Sequence, residues 1–128
     1  MLRVCYGTRS MAFSSREVEF AAALAREAGA LLLSHFGRHG TVHRKDRHEP
    51  VTDADRQANA LIVQGLRSAF PRDWVLSEEE PDQPGRLAAE RVWMVDPMDG
   101  TEDFIQGETG FAVMIGLCVL GQPVLGVV

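Results

Sequence analysis

Two short acidic segments carry the side chains best able to do chemistry: Glu78-Glu79, and Asp96-Pro97-Met98-Asp99-Gly100-Thr101. Each follows a short apolar run, Trp74-Val75-Leu76 or Val92-Trp93-Met94-Val95, of the kind that forms a buried strand. In layered α/β folds the sheet holds the loops at its strand ends rigidly and brings together carboxylates distant in sequence. Convergent carboxylates repel one another unless a cation sits between them. Oxygen-only ligation with no nearby cysteine selects a hard ion, and Mg²⁺ is the natural candidate. Pro97 fixes the backbone after Asp96 and Gly100 permits a tight turn after Asp99, so both carboxylates can face one volume. A short helix opening at Gly100 and Thr101 and running through Phe104 would aim backbone N–H groups at an anion, a ready phosphate cradle. Taken alone, Asp-x-x-Asp-Gly is more often a turn than a site. An EF-hand is a poor fit, because Pro97 and the lack of a closing Glu break its loop pattern.

The elements that must position these carboxylates can be read from periodicity and caps. Ser14 and Glu17 form a capping box, with Phe13 and Val18 placed as a hydrophobic staple across it. The spacing of Phe20, Ala21, Leu24, Ala28, Leu31 and Leu32 predicts a helix that Gly37 can end in a left-handed cap. A polar, basic stretch from Arg38 to Pro50 reads as an exposed hairpin or loop around a short strand at Thr41 to Lys45. Thr52 reads as the N-cap of a second helix, whose apolar face is Ala54, Ala58, Leu61, Ile62, Leu66, Ala69 and Phe70. Strand-like runs at 111–120 and 124–128 are joined at Gly121-Gln122, where Gly at the first turn position suits a type II′ hairpin. Residues 1–12, with a second methionine at Met11, are expected to be a disordered lead.

Composition narrows the class. The chain has 128 residues, 45% of them hydrophobic and 24% charged, a balance suited to one globular domain. A net charge of -5 argues against nucleic acid as a partner, since binding a polyanion depends on clustered Lys and Arg. Cys5 and Cys118 stand far apart with no metal-ligand spacing, so neither a disulfide framework nor a zinc site is suggested. No apolar run has signal-peptide or transmembrane length, and a cytoplasmic chain without membrane contact is expected. His35 and His39 share an i, i+4 spacing, but Gly37 between them ends the helix and favours solvated histidines over a zinc pair. The basic run from His43 to His48 reads first as a solvated face, with Lys45 the member best suited to attract a phosphorylated substrate. Trp74, Trp93, Phe104 and Phe111 fall on apolar strand or core positions rather than forming a stacking platform.

Asp96-Pro97-Met98-Asp99-Gly100-Thr101, with Phe104 beyond, resembles the DPxDGT signature of the inositol monophosphatase family. Val51-Thr52-Asp53-Ala54-Asp55 is similar to its VTxxD segment, and Leu76-Ser77-Glu78-Glu79 to its GEE segment with Ser in place of Gly. The three motifs occur in the family's order from Phe13 onward, which is far more specific than any one of them. The resemblance implies that Glu78, Asp96 and the Met98 carbonyl bind a first Mg²⁺, and that Asp96 and Asp99 bind a second. It implies that Asp55 and Thr101 are catalytic, their hydrogen bond helping to activate water, that Gly100 and Thr101 hold the substrate phosphate, and that Glu79 orients the ligands. It also implies a small phosphorylated substrate, inositol phosphate or 3′-phosphoadenosine 5′-phosphate, and frequent assembly as a homodimer. Relatives also cleave fructose 1,6-bisphosphate and histidinol phosphate; residues 110–117 and 123–128 look closest to bacterial bisphosphate nucleotidases, while Glu102-Asp103 fits no subfamily.

In this family a further metal-binding aspartate and most substrate-selecting walls come from a later, C-terminal half. The expected fold is therefore α/β, the N-terminal portion of a layered sandwich of the sugar phosphatase type, incomplete over 13–128, with a mixed or largely antiparallel main sheet. Such a chain alone is expected to bind metal weakly and turn over little. The rival expectation is a catalytically inactive fragment serving as a metal-binding or oligomerising module.

Overall fold

The computed structural model describes residues 1–7, 13–38, 42–44 and 50–128. Met11, His39, Lys45 and the rest of the basic run at 45–48 lie outside the described residues. Eleven elements follow in chain order among the described residues, one of them a short 3-10 helix at Pro84–Ala88. They are strand β1 (Val4–Tyr6), helix α1 (Ser15–His35), strands β2 (Val42–Arg44) and β3 (Pro50–Thr52), and helix α2 (Asp53–Ala69). Strands β4 (Trp74–Ser77) and β5 (Arg91–Asp99), helix α3 (Thr101–Gln106), and strands β6 (Ala112–Val119) and β7 (Gln122–Val127) complete the set. No described helix is long and apolar enough to cross a membrane.

Both long helices start where their caps dictate. At α1 the Glu17 carboxylate accepts from the Ser14 backbone N–H at 2.8 Å, closing the expected box. Burial alone pushes the Glu17 carboxyl up, yet hydrogen bonds from the Ser14 side chain and backbone, with the Arg91 charge, leave it lowered overall. The helix runs to His35, where Phe36 turns extended and Gly37 follows at φ 74, so the left-handed residue lies one step beyond the cap. Thr52 caps α2 as expected, accepting from the Asp55 N–H.

The main sheet has the order β1-β7-β6-β5-β4, with β4 parallel to β5 and every other pair antiparallel. The sheet is mixed and largely antiparallel, the α/β architecture expected. A separate ribbon pairs β2 with β3, which places a strand within the basic stretch. Helices α1 and α2 pack against each other, α1 over β6 and β7 and α2 over β5 and β4. The pleat decides which side chains meet them: Trp93, Val95, Ile115, Leu117, Leu125 and Val127 point inward and are buried. Alternate residues point the other way, and Met94 and Met114 remain 47% and 40% exposed on a face that no described element covers. Burying a large apolar side chain such as Trp93 or Leu117 stabilises by roughly 1.5–3 kcal/mol, so the helix-covered face supplies most of the driving force.

Three details depart from the sequence reading. Residues 4–6, placed in an expected disordered lead, form β1 against β7 in the register Val4↔Val127. An unpaired edge of β7 exposes a row of N–H and C=O groups, and an adjacent extended segment satisfies them. Strand β5 continues through Pro97 to Asp99, with an irregularity between Asp96 and Asp99 that frees Pro97 from ladder bonding. The β6–β7 turn residues are Leu120 and Gly121, at φ 51 and 74, with Val119 facing Gln122. Two positive φ values define type I′ rather than II′, the form whose twist matches the flanking strands. Leu120 is held in this turn by its N–H, which donates to the Glu90 carbonyl at 2.7 Å.

Candidate functional site

The site is built where the two parallel strands end. Ser77 pairs with Val95, so the next residues outward, Glu78 and Asp96, stand side by side where β4 ends and β5 runs on against β6. The Glu78 N–H donates to the Val95 carbonyl at 3.0 Å and fixes that exit. At the irregularity that follows Asp96, the Met98 N–H donates to Asp96 Oδ1 at 3.1 Å, a local bond that aims the carboxylate. Gly100 then adopts φ 84, and a Cβ there would lie 2.2 Å from the Gly110 carbonyl oxygen. Only glycine satisfies both the left-handed backbone and the close approach. Helix α3 follows directly, with Thr101 as its first residue.

A second strut comes from α2. Asp55 is 0% exposed, and a carboxylate buried so deeply needs hydrogen bonds on both oxygens. Oδ2 accepts from the Thr52 N–H at 2.8 Å and from the Thr52 hydroxyl at 2.5 Å. Oδ1 accepts from the Thr101 hydroxyl at 2.9 Å. The Met98 carbonyl lies 3.1 Å from the same Thr101 oxygen. A hydroxyl has one hydrogen, and a buried carboxylate is the stronger acceptor. The Thr101 proton is therefore directed to Asp55, and its oxygen offers lone pairs to any further partner.

The carboxyls themselves are strained electrostatically. Burial, then a hydrogen bond shared with Glu78, then the charges of Glu78 and Asp99, push the Asp96 carboxyl up to about 7 against a partial opposing pull from the Met98 N–H. Two acids leaving neighbouring strands and sharing one proton are a donor pair short of positive charge, which a hard divalent cation would relieve. The donor set is all oxygen and fits such an ion in chemistry. Among the described residues, however, no three His, Cys, Asp or Glu side chains converge closely enough to hold one, so Asp99 completes no preformed triad.

Beside the carboxylates a groove of about 640 Å³ runs over the uncovered face of the sheet, lined by Leu76, Met94, Met114 and Gly116 and touching the site at Glu78 and Asp96. Its apolar walls do not suit a phosphate ester, and it is better read as the bare sheet face than as a substrate pocket.

Of the residues singled out from sequence, Asp55, Thr101 and the Met98 carbonyl form one hydrogen-bonded cluster, and Glu78 and Asp96 another, adjoining it through Met98. The Glu79 N–H is bound by the Ser77 hydroxyl oxygen at 3.2 Å. His35 Nε2 lies 3.2 Å from Gln57 Oε1 across the two long helices. Sequence reasoning missed Asn59, Ser77 and Glu80, which bond to one another behind the acidic loop. The signal was Asn59 itself, a polar residue four positions after Asp55 on the otherwise apolar face of α2.

Residues 14–128 match the model of the inositol monophosphatase family. The chain is 42% identical over 113 residues to the histidinol-phosphatase of Chlorobaculum parvum, covering 88% of this chain and 43% of that one. It is 44% identical over 112 residues to the 3′(2′),5′-bisphosphate nucleotidase CysQ of Escherichia coli K12, covering 82% and 44%. Among solved structures, the extragenic suppressor protein suhB of Bartonella henselae superposes with a TM-score of 0.79 at 32% identity, over 87% of this chain and 43% of that one. An IMPase of Thermotoga maritima gives 0.77 at 31% identity, over 84% and 41%. The chain thus spans less than half the length of the relatives it matches.

Proposed function

Because the chain belongs to the inositol monophosphatase family, we propose that it forms part of a Mg²⁺-dependent phosphomonoester hydrolase acting on a small phosphorylated substrate. The relatives named above as histidinol-phosphatase and bisphosphate nucleotidase support the reaction class. The observation that carries the reading is the pairing of Glu78 with Asp96 beside a Thr101 hydroxyl whose proton is held by buried Asp55.

In this reading Glu78, Asp96 and the Met98 carbonyl would hold one Mg²⁺, and Asp96 and Asp99 would hold a second. When bound, the ions lower the pKa of water and neutralise charge on the phosphoryl oxygens. Thr101 Oγ1, already donating to Asp55 Oδ1, accepts a hydrogen bond from the attacking water and fixes its line of approach to phosphorus. Asp55 keeps Thr101 in that role by accepting its hydroxyl proton at Oδ1. The backbone at Gly100 and Thr101 faces the substrate phosphate, and Glu79 orients the acidic loop. The water oxygen bonds to phosphorus as the bond from phosphorus to the ester oxygen breaks, the water giving up a proton to solvent and the departing alkoxide taking one up from it. We place 3′-phosphoadenosine 5′-phosphate and inositol 1-phosphate first as substrates, in a cytoplasmic homodimer.

The absence of a converged triad among the described residues favours a second reading, in which these 128 residues alone are an inactive metal-binding or oligomerising module. Magnesium-dependent phosphate release separates the two readings. It is measured on inositol 1-phosphate, 3′-phosphoadenosine 5′-phosphate and histidinol phosphate, for this chain and for one extended through its reading frame. Release that Asp96→Asn abolishes supports the hydrolase. No metal-dependent release from either chain on any of the three esters would sink it in favour of the module.

A further inference from the structure

Behind the acidic loop lies a chain of hydrogen bonds that reaches it from α2. Arg67 donates to Glu80 Oε2 at 2.8 Å, and the Asn59 amide donates to Glu80 Oε1 at 3.3 Å. With its NH₂ committed to Glu80, Asn59 turns Oδ1 toward Ser77, whose hydroxyl donates to it at 2.5 Å. The Ser77 oxygen, its hydrogen thus directed away, accepts the Glu79 N–H at 3.2 Å. Donation runs from the Glu79 N–H to Ser77, then to Asn59 and to Glu80, each bond fixing the polarity of the next, and Arg67 donates to Glu80 from the other side. Asn59 and Ser77 are 8% and 3% exposed, which shields the pair from competition by water.

Asp55 and Asn59 lie one turn apart on the same face of α2. The first holds Thr101 and the second holds Ser77, so a single rigid helix grips both loops that end the parallel strands. We propose that Asn59 and Ser77 are positioning residues for metal binding, setting the separation of Glu78 from Asp96 through the Ser77–Glu79 turn. The inference rests on the reading that Glu78 and Asp96 hold the ion. Serine at 77 is what makes the link possible, because glycine there would leave Asn59 Oδ1 and the Glu79 N–H without this partner.

The test is a double-mutant cycle on the 128-residue chain with Ser77→Ala, Asn59→Ala and the pair, together with Ser77→Thr as the conservative variant. Two quantities are read in each: Mn²⁺ affinity by electron paramagnetic resonance, and hydrogen exchange at the Glu79 amide without metal. Melting temperature serves as the control for folding. Residues that orient metal ligands commonly cost about tenfold or more in affinity when removed. The expected result is a loss of about tenfold in each single variant, little further loss in the double, recovery in Ser77→Thr, and faster Glu79 exchange wherever affinity falls. Affinities within twofold of the parent, or independent losses that simply add, would overturn the proposal while leaving the metal site standing. If neither the parent chain nor one extended through its reading frame binds Mn²⁺, the metal reading fails and this inference falls with it.

Discussion

Asp96 is the residue on which charge and geometry conflict most. Its carboxyl is raised in the folded chain from the ordinary 3.8 to about 7, by burial and then by Glu78. Across that window the unfolded chain has released a proton that the folded chain still holds. The contribution of this group to stability therefore falls as pH rises from about 4 to 7 and levels off above, in the absence of metal. Asp96→Asn cannot ionise, so the metal-free variant should lose this slope and melt about 3 °C above the parent at pH 8. Scanning calorimetry at pH 5 and pH 8 checks it, and equal melting temperatures at pH 8 would show that the strain is absent. Thr101 makes a sharper chemical prediction. Thr101→Val keeps the shape but removes the hydroxyl, and kcat of the extended enzyme should fall about 100-fold, whereas Thr101→Ser should stay within a few-fold. A Val variant as active as the Ser variant would remove Thr101 from the proposed chemistry.

The secondary-structure elements were legible in the sequence to different degrees, for physical reasons. Helix starts were clear because a cap is a local event: Ser14 with Glu17, and Thr52 with Asp55, each close within four residues. The end of β4 just before Glu78 was clear because an apolar run stops there, whereas β5 runs three residues past Asp96, where its apolar run stops. Strand β1 was hidden, since three residues carry no period and their partner lies at the other end of the chain. The Asn59–Ser77 link was equally hidden, because nothing local couples positions on a helix and a strand. Turn type was misjudged because glycine was assigned to the first turn position, whereas the ladder places Leu120 there. That residue offers an element-scale test. An L-residue in left-handed backbone costs roughly 1–2 kcal/mol, and Asn tolerates it better. Leu120→Asn should stabilise the chain by about 1 kcal/mol, seen as a higher urea midpoint at unchanged slope. A lower midpoint would mean that Leu120 packs more than its 65% exposure suggests.

Among the described residues, the main sheet is covered by helices on one side. Its other side presents Met94, Met114 and Leu76 to the groove that borders the carboxylates. A contiguous apolar surface of this kind drives association. The double change Met94→Lys and Met114→Lys should lower light scattering of the concentrated chain and leave its melting temperature nearly unchanged, because both side chains point away from the helices. A large fall in melting temperature would instead place them in the core. The sheet also joins residues from opposite ends of the sequence: Val4 pairs with Val127, and Arg3 exchanges two backbone hydrogen bonds with Val128. Closing so long a loop is entropically expensive and slow. On the ribosome, Val4–Tyr6 emerge long before residues 125–127, the segment they pair with. Of the five strands in the main sheet, the first made therefore waits for the last, and the hairpin of β6 and β7 sets the moment at which it can dock.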